Sequence, residues 1–193
     1  TRSYSVTGVQ TCALPILMID FFKKLYDKGI LKNYQYHLCG GTHKGSLHQN
    51  YLKKVKQATI GYPIFIHADI PFIELKKIYF RSQMFWHATG YGENENKNPD
   101  KFEHFGITTI ESMAAGCVPF VIKKAGQIET VVEGKSGYLW DDYNELEQKI
   151  TVFLKLKQSR QDQISKNAKK RAEEFSLDRF NKTFQKIIEP YIK

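Results

Sequence analysis

The chain has 193 residues, which fits one domain large enough to bury a sizeable core. Charged residues at 25% and hydrophobic ones at 41% suit an ordinary globular protein, and no apolar run approaches the roughly 20 residues of a membrane helix. The net charge of +9 gathers at the C-terminus, where residues 149–193 hold 12 Lys and Arg against 5 Asp and Glu. No aromatic-studded binding motif accompanies that charge, which argues against nucleic acid as a partner.

Residues 1–16 stand apart. They are Ser/Thr-rich, without helical or strand periodicity, and Gly8 to Ile16 looks like translated adapter or assembly sequence. The charged start and long apolar run of a signal peptide are missing. The expectation is a non-family leader at 1–16 and a domain over 17–193.

From there strands and helices alternate. Leu17, Phe21 and Leu25 at helical spacing predict a helix over 17–28, ending at Gly29. Then come a strand at 34–39, a glycine-rich loop at 40–45 and a polar helix at 47–57. A strand at 64–67, a helix at 72–82 and a strand at 84–88 follow. The polar run 91–101 reads as a solvated loop; its acids lack the alternation of a calcium loop. Beyond it lie a helix at 107–115, a strand at 118–122, a helix at 127–133 and a strand at 137–140. Helices at 143–157, 159–174 and 177–189 finish the chain. Such alternation predicts an α/β fold, a doubly wound parallel sheet with C-terminal helices. Loops 40–45, 68–71, 89–105 and 123–127 each follow a strand and should converge on the sheet's ligand-binding edge.

One of those loops carries the strongest signal. Phe102-Glu103-His104-Phe105-Gly106 leads into a short helix with Ile110, Met113 and Ala114 on its apolar face. Glu103 and Glu111 lie eight residues apart, one before the helix and one about a turn inside it. The free N–H groups and positive dipole end of a helix N-terminus favour an anion. Carboxylates cannot bind phosphate but accept hydrogen bonds from hydroxyls. A sugar–diphosphate–ribose ligand matches that order of groups.

This block resembles the Glu-x7-Glu motif of retaining, GT-B-fold glycosyltransferases of group 1 (family 4). The likeness extends to 36–41, 64–71 and 74–79 upstream, and to 116–122, 125–132 and 133–140 downstream. It covers roughly 17–190 and implies a Rossmann-like C-terminal, nucleotide-sugar-binding half of a GT-B protein. The resemblance implies transfer of a sugar from a nucleotide-sugar donor to an acceptor hydroxyl with retained configuration. Glu103 would be the catalytic carboxylate beside the transferred sugar and Glu111 the ribose ligand. Phe105, Gly106, Ile107 and Thr108 would face the sugar and diphosphate. Ile70 packing on the base, His87 at a strand end and Gly126 in the next loop are weaker donor contacts. No metal and no other cofactor is implied.

The chain also departs from the pattern. The family's Arg and Lys, which clamp the diphosphate after the first strand, would precede Leu17, where only the leader stands. The expectation is therefore a donor-binding fragment, without its first strand and acceptor domain, inactive alone. The parent's acceptor would be a glycan or lipid-linked sugar, in polysaccharide or glycolipid assembly in the cytoplasm. The basic C-terminal segment reads most simply as solvated helix faces; the sharper reading is peripheral contact with an anionic membrane. A non-catalytic nucleotide-binding or interaction module of the same fold is the alternative, and an epimerase sharing the donor site is the nearest enzymatic rival. The histidines lack metal-site spacing. Cys12, Cys39 and Cys117 read as reduced thiols, two of them in core strands.

Overall fold

The computed structural model describes residues 5–9, 15–41 and 46–192. Six parallel strands form one sheet: β1 (Ser5–Val9), β2 (Gln35–Gly40), β3 (Ile64–Ala68), β4 (Met84–His87), β5 (Val118–Ile122) and β6 (Tyr138–Trp140). Their order is β3-β2-β1-β4-β5-β6. The helices are α1 (Pro15–Asp27), α2 (Ser46–Ala58), α3 (Phe72–Arg81), α4 (Ile107–Ala115), α5 (Gln127–Thr130), α6 (Tyr143–Lys155), α7 (Gln158–Glu173) and α8 (Leu177–Ile188). Strand order reverses between β1 and β4, and ligands of such sheets bind at the carboxyl ends of the strands beside that reversal.

The start of the chain departs from the sequence reading. Ser5–Val9 is not outside the fold, and the sheet does not lack its first strand. Val6 and Thr7 sit opposite Tyr36 and His37 of β2 on one side and Met84 and Phe85 of β4 on the other. The physical reason is the gap itself. Without a strand there, β2 and β4 would each present an unpaired row of backbone N–H and C=O groups in the middle of a buried sheet. A short run containing Val6, Thr7 and Val9 has the β-branched composition to fill it. Helix α1 accordingly begins at Pro15, a residue suited to the first helical position. Cys12 and most of the 40–45 loop lie outside the described residues.

Side chains alternate along β4 and β5, and both faces of these strands are buried. Met84 and Trp86 of β4 join Met18, Phe22 and Leu25 of α1 and Phe120 and Ile122 of β5 on one face. Phe85 and Val121 join Tyr79 of α3, Met113 of α4 and Ala168 of α7 on the other. Most other elements match their predicted bounds within two residues. Helix α5 is shorter than expected, because Val131 turns to extended backbone (φ −106°, ψ 127°) and Glu133 bridges to Gly137. The 91–101 segment is not simply solvated: it holds a 3-10 turn at Pro99–Lys101, and Glu93 takes Lys101 Nζ at 2.8 Å and Asn98 Nδ2 at 3.0 Å. Cys39 and Cys117 are buried thiols; Cys39 lies in β2, whereas Cys117 lies one residue before β5.

Candidate donor site

The site is built where β4 gives way to α4. Phe85 and His87 share one face of β4, and His87 is its last residue, almost fully buried. The chain then loops out and returns at Phe102, which is buried. Glu103 to Gly106 form a turn that Glu103 itself stabilises. Its Oε1 accepts from the N–H groups of Gly106 at 2.9 Å and Phe105 at 3.3 Å. Gly106 has φ +82°, a conformation that strongly favours glycine and that aims the chain into α4. The first backbone bond of α4 runs from Ile110 N–H to Gly106 carbonyl. The N–H groups of Ile107 and Thr108 therefore start the helix with no partner inside it.

This arrangement divides the four residues 105–108 into two pairs. The N–H groups of Phe105 and Gly106 are occupied by Glu103, while those of Ile107 and Thr108 point out of the helix end. The Phe105 and Ile107 side chains are exposed, and the Phe105 ring meets Phe175 edge-on at 6.0 Å. Glu111, one turn further along α4, is half-buried, and burial raises its carboxyl pKa. It makes no hydrogen bond or ion pair with another described residue.

Below Glu103 lies a polar floor. The second carboxylate oxygen, Oε2, is 3.8 Å from His87 Nε2. Thr89 Oγ1 is 3.3 Å from the same nitrogen. On the other side of the ring, Gln127 Nε2 is 3.4 Å from His87 Nδ1. Burial lowers the His87 pKa to about 4, against the weaker opposite pull of Glu103. The imidazole is therefore neutral at physiological pH. Gly126 closes the floor: its N–H donates to the Glu103 carbonyl at 3.1 Å. Lys124, on the same loop, donates from Nζ to the Glu93 carbonyl at 3.3 Å and lies 5.4 Å from the Phe102 ring centre.

The structure thus brings Glu103, Phe105, Gly106, Ile107, Thr108, His87 and Gly126 together at one strand-to-helix junction, with Glu111 on the same helix. Ile70 lines a groove of about 370 Å³ along α3, with His37, His67, Glu74 and Arg81. There His37 Nδ1 and His67 Nε2 are 2.9 Å apart, a pair no motif announces. Gln127 was also missed by sequence reasoning, since a glutamine opening a four-residue helix carries no signal of its own. Among the described residues no three His, Cys, Asp or Glu side chains are grouped so as to hold a metal ion, and no helix is long and apolar enough to cross a membrane.

Comparison with known proteins adds to this geometry. The sequence model of a family described as "Glycosyl transferases group 1" matches residues 15–171. A GDP-Man:Man(3)GlcNAc(2)-PP-Dol alpha-1,2-mannosyltransferase of Xenopus tropicalis is 29% identical over 188 residues, which are 94% of this chain and 35% of that protein. Among solved structures, the C-terminal domain of the group 1 glycosyl transferase LpcC from Francisella tularensis superposes with a TM-score of 0.66 at 16% identity, over 90% of this chain and 87% of that one. Anabaena Alr3699/HepE, in complex with UDP and glucose, superposes with a TM-score of 0.73 at 18% identity, over 98% of this chain and 49% of that one. The chain spans about a third of the length of the mannosyltransferase and about half of HepE.

Proposed function

Because the chain belongs to the group 1 glycosyl transferases, we propose that it is the donor-binding part of a retaining glycosyltransferase, which moves a sugar from a nucleotide sugar to an acceptor hydroxyl. One observation carries this reading above the others: the Glu103 carboxylate is fixed on the Gly106 N–H at the mouth of α4, with its other oxygen left facing the strand end. A carboxylate so held is pre-oriented to accept from sugar hydroxyls near the reacting carbon. The helix end beside it offers the N–H groups of Ile107 and Thr108 to the phosphate on which negative charge builds as the sugar departs. Glu111, half-desolvated and without a partner among the described residues, is suited to the two ribose hydroxyls.

The complex of HepE with UDP and glucose supports a nucleotide sugar as the kind of ligand, and the mannosyltransferase likeness favours a hexosyl group. The acceptor would be a glycan or lipid-linked sugar. Residues 10–14, which follow β1, are Gln, Thr, Cys, Ala and Leu, with no cation to clamp a diphosphate. Lys124 is engaged by the 91–101 segment. The chain alone is therefore expected to bind nucleotide weakly and to transfer nothing.

Saturation-transfer NMR with UDP, GDP and ADP tests the reading, on the wild-type chain and on Glu111→Ala. Ribose-centred contact that the substitution abolishes is expected, with one base preferred. A folded wild-type chain that contacts none of the three, or a variant that keeps the ribose contact, would count against it.

A further inference from the structure

We propose that Gln127 is a positioning residue of the donor site, whose side-chain amide holds His87 as the Nε2–H tautomer and so points a ring N–H, not a lone pair, toward Glu103. The inference rests on the donor-site reading for its purpose but on the local geometry for its content.

Gln127 is fully buried and opens α5. Its amide lies between two parts of the site. On one side Nε2 is 3.4 Å from His87 Nδ1. On the other, the amide lines the Gly106 turn, where a Cβ would meet Gln127 Nε2 at 3.1 Å and Oε1 at 3.2 Å. One side chain thus supports both the histidine and the turn that Glu103 caps.

The tautomer follows from what each neighbour can do. A neutral imidazole has one donor nitrogen and one acceptor nitrogen. The groups facing Nε2 are the Glu103 carboxylate, which only accepts, and the Thr89 hydroxyl, which can accept. The nitrogen on that side is stabilised as the donor. Nδ1 must then accept, and the amide NH2 of Gln127 is the donor within reach. Turning the amide over would set its oxygen against the Nδ1 lone pair, or draw the proton to Nδ1 and leave a bare Nε2 facing a carboxylate. Both alternatives place like charge against like. The orientation of the amide and the tautomer of the ring therefore fix one another. Gln127 Oε1 is left buried without a partner, which is a cost the structure bears to keep the NH2 on the ring.

The consequence at the site is a fixed division of roles. The His87 N–H faces the carboxylate at 3.8 Å without bonding to it, Glu103 keeps its acceptor oxygen free, and neither exchanges a proton with the other while the ring stays neutral. A hydroxyl arriving at Glu103 Oε2 meets an acceptor backed by an N–H.

The test is the ring's own NMR signature. Long-range ¹H–¹⁵N correlation of the ¹⁵N-labelled chain at neutral pH, with the His87 signals identified by their loss in His87→Gln, reads the tautomer directly. Wild type is expected to show protonated Nε2 and bare Nδ1. Gln127→Glu offers an acceptor in place of the donor and should move the proton onto Nδ1 or give an imidazolium. Gln127→Leu should give a mixture. A wild-type ring protonated at Nδ1 overturns the proposal without any Gln127 variant, and so does an unchanged tautomer in folded Gln127→Glu. Saturation transfer from UDP, GDP and ADP on the same samples separates the two claims. Correct tautomers with no nucleotide contact would leave Gln127's action on His87 intact and remove the donor reading.

Discussion

Gly126 lies so close to the backbone of His104 that a Cβ on it would stand 1.9 Å from the His104 carbonyl oxygen and 2.4 Å from its carbon. Its φ of −62° is open to any residue, so the requirement for glycine here is contact and not backbone freedom. The N–H of the same residue bonds to the Glu103 carbonyl, which makes this contact the seam between the loop after β5 and the turn before α4. Gly126→Ala should force the seam open, at a cost of about 1–3 kcal/mol for overpacking. Urea unfolding measures the cost, and saturation transfer from nucleotide should weaken with it. An alanine variant as stable as wild type would mean that the seam adjusts and does not set the turn.

One residue earlier, Ala125 has φ +46°. A left-handed conformation costs a residue with a Cβ about 1–2 kcal/mol, whereas glycine carries about 0.5–1 kcal/mol of extra backbone entropy into folding. Relief of strain is the larger of the two, so Ala125→Gly should raise stability by about 0.5–1 kcal/mol. Denaturant midpoints at unchanged slope would check it. A lower midpoint would show that the loop holds this conformation without strain.

These two neighbours also show what the sequence could and could not reveal. Glu103, Gly106 and Glu111 were legible because one local segment holds them, and the spacing along a turn and helix survives folding unchanged. The Gly126 contact was half legible: a glycine after a strand suggests close approach, but what it approaches lies 22 positions upstream. Gln127 and the His37–His67 pair were not legible, because side-chain meetings across separate strands and helices leave no periodicity. The neighbours of Ile70 in its groove along α3 were not legible for the same reason, since position after a strand gives the edge but not which side chains share it. The strand at Ser5–Val9 was hidden by its context. A five-residue segment has too few positions to show a period, and only the gap between β2 and β4 gives it a place.

Helix α8 has none of its residues buried, although Leu177, Phe180, Phe184 and Ile187 form an exposed apolar stripe. Phe180 and Phe184 stack on one another at 5.9 Å and not on the domain. Phe175, just before the helix, does pack, against Phe105 and beneath Arg171. Ending the chain after Ser176 should therefore change the unfolding free energy by no more than about 0.5 kcal/mol. It should also reduce self-association, since an uncovered apolar stripe is an aggregation liability. Thermal melts and light scattering on the two lengths would decide. A large loss of stability on truncation would mean that α8 packs on the domain in solution.

Acid should weaken the fold well above the range in which most carboxylates titrate. His87 is 3% exposed, and burial lowers its pKa from 6.5 to about 4. Above pH 6.5 the ring is neutral in both folded and unfolded chains and contributes no pH dependence. As pH falls from 6.5 to 4, the unfolded chain takes up a proton that the native chain refuses, so stability is lost throughout that window and levels off below it. The interval corresponds to about 3 kcal/mol. His37, lowered to about 4 by burial and then by His67, acts in the same direction and window. Glu111, with its pKa raised by burial, acts in the opposite sense, since its native carboxyl keeps a proton longer than the unfolded one as pH rises. The two histidines outweigh it, because their shifts are large and span more than two pH decades. Urea unfolding followed from pH 7 to pH 4 should show a declining free energy in wild type and a shallower decline in His87→Gln. Parallel curves for the two proteins would mean that His87 titrates in the folded chain much as it does in the unfolded one.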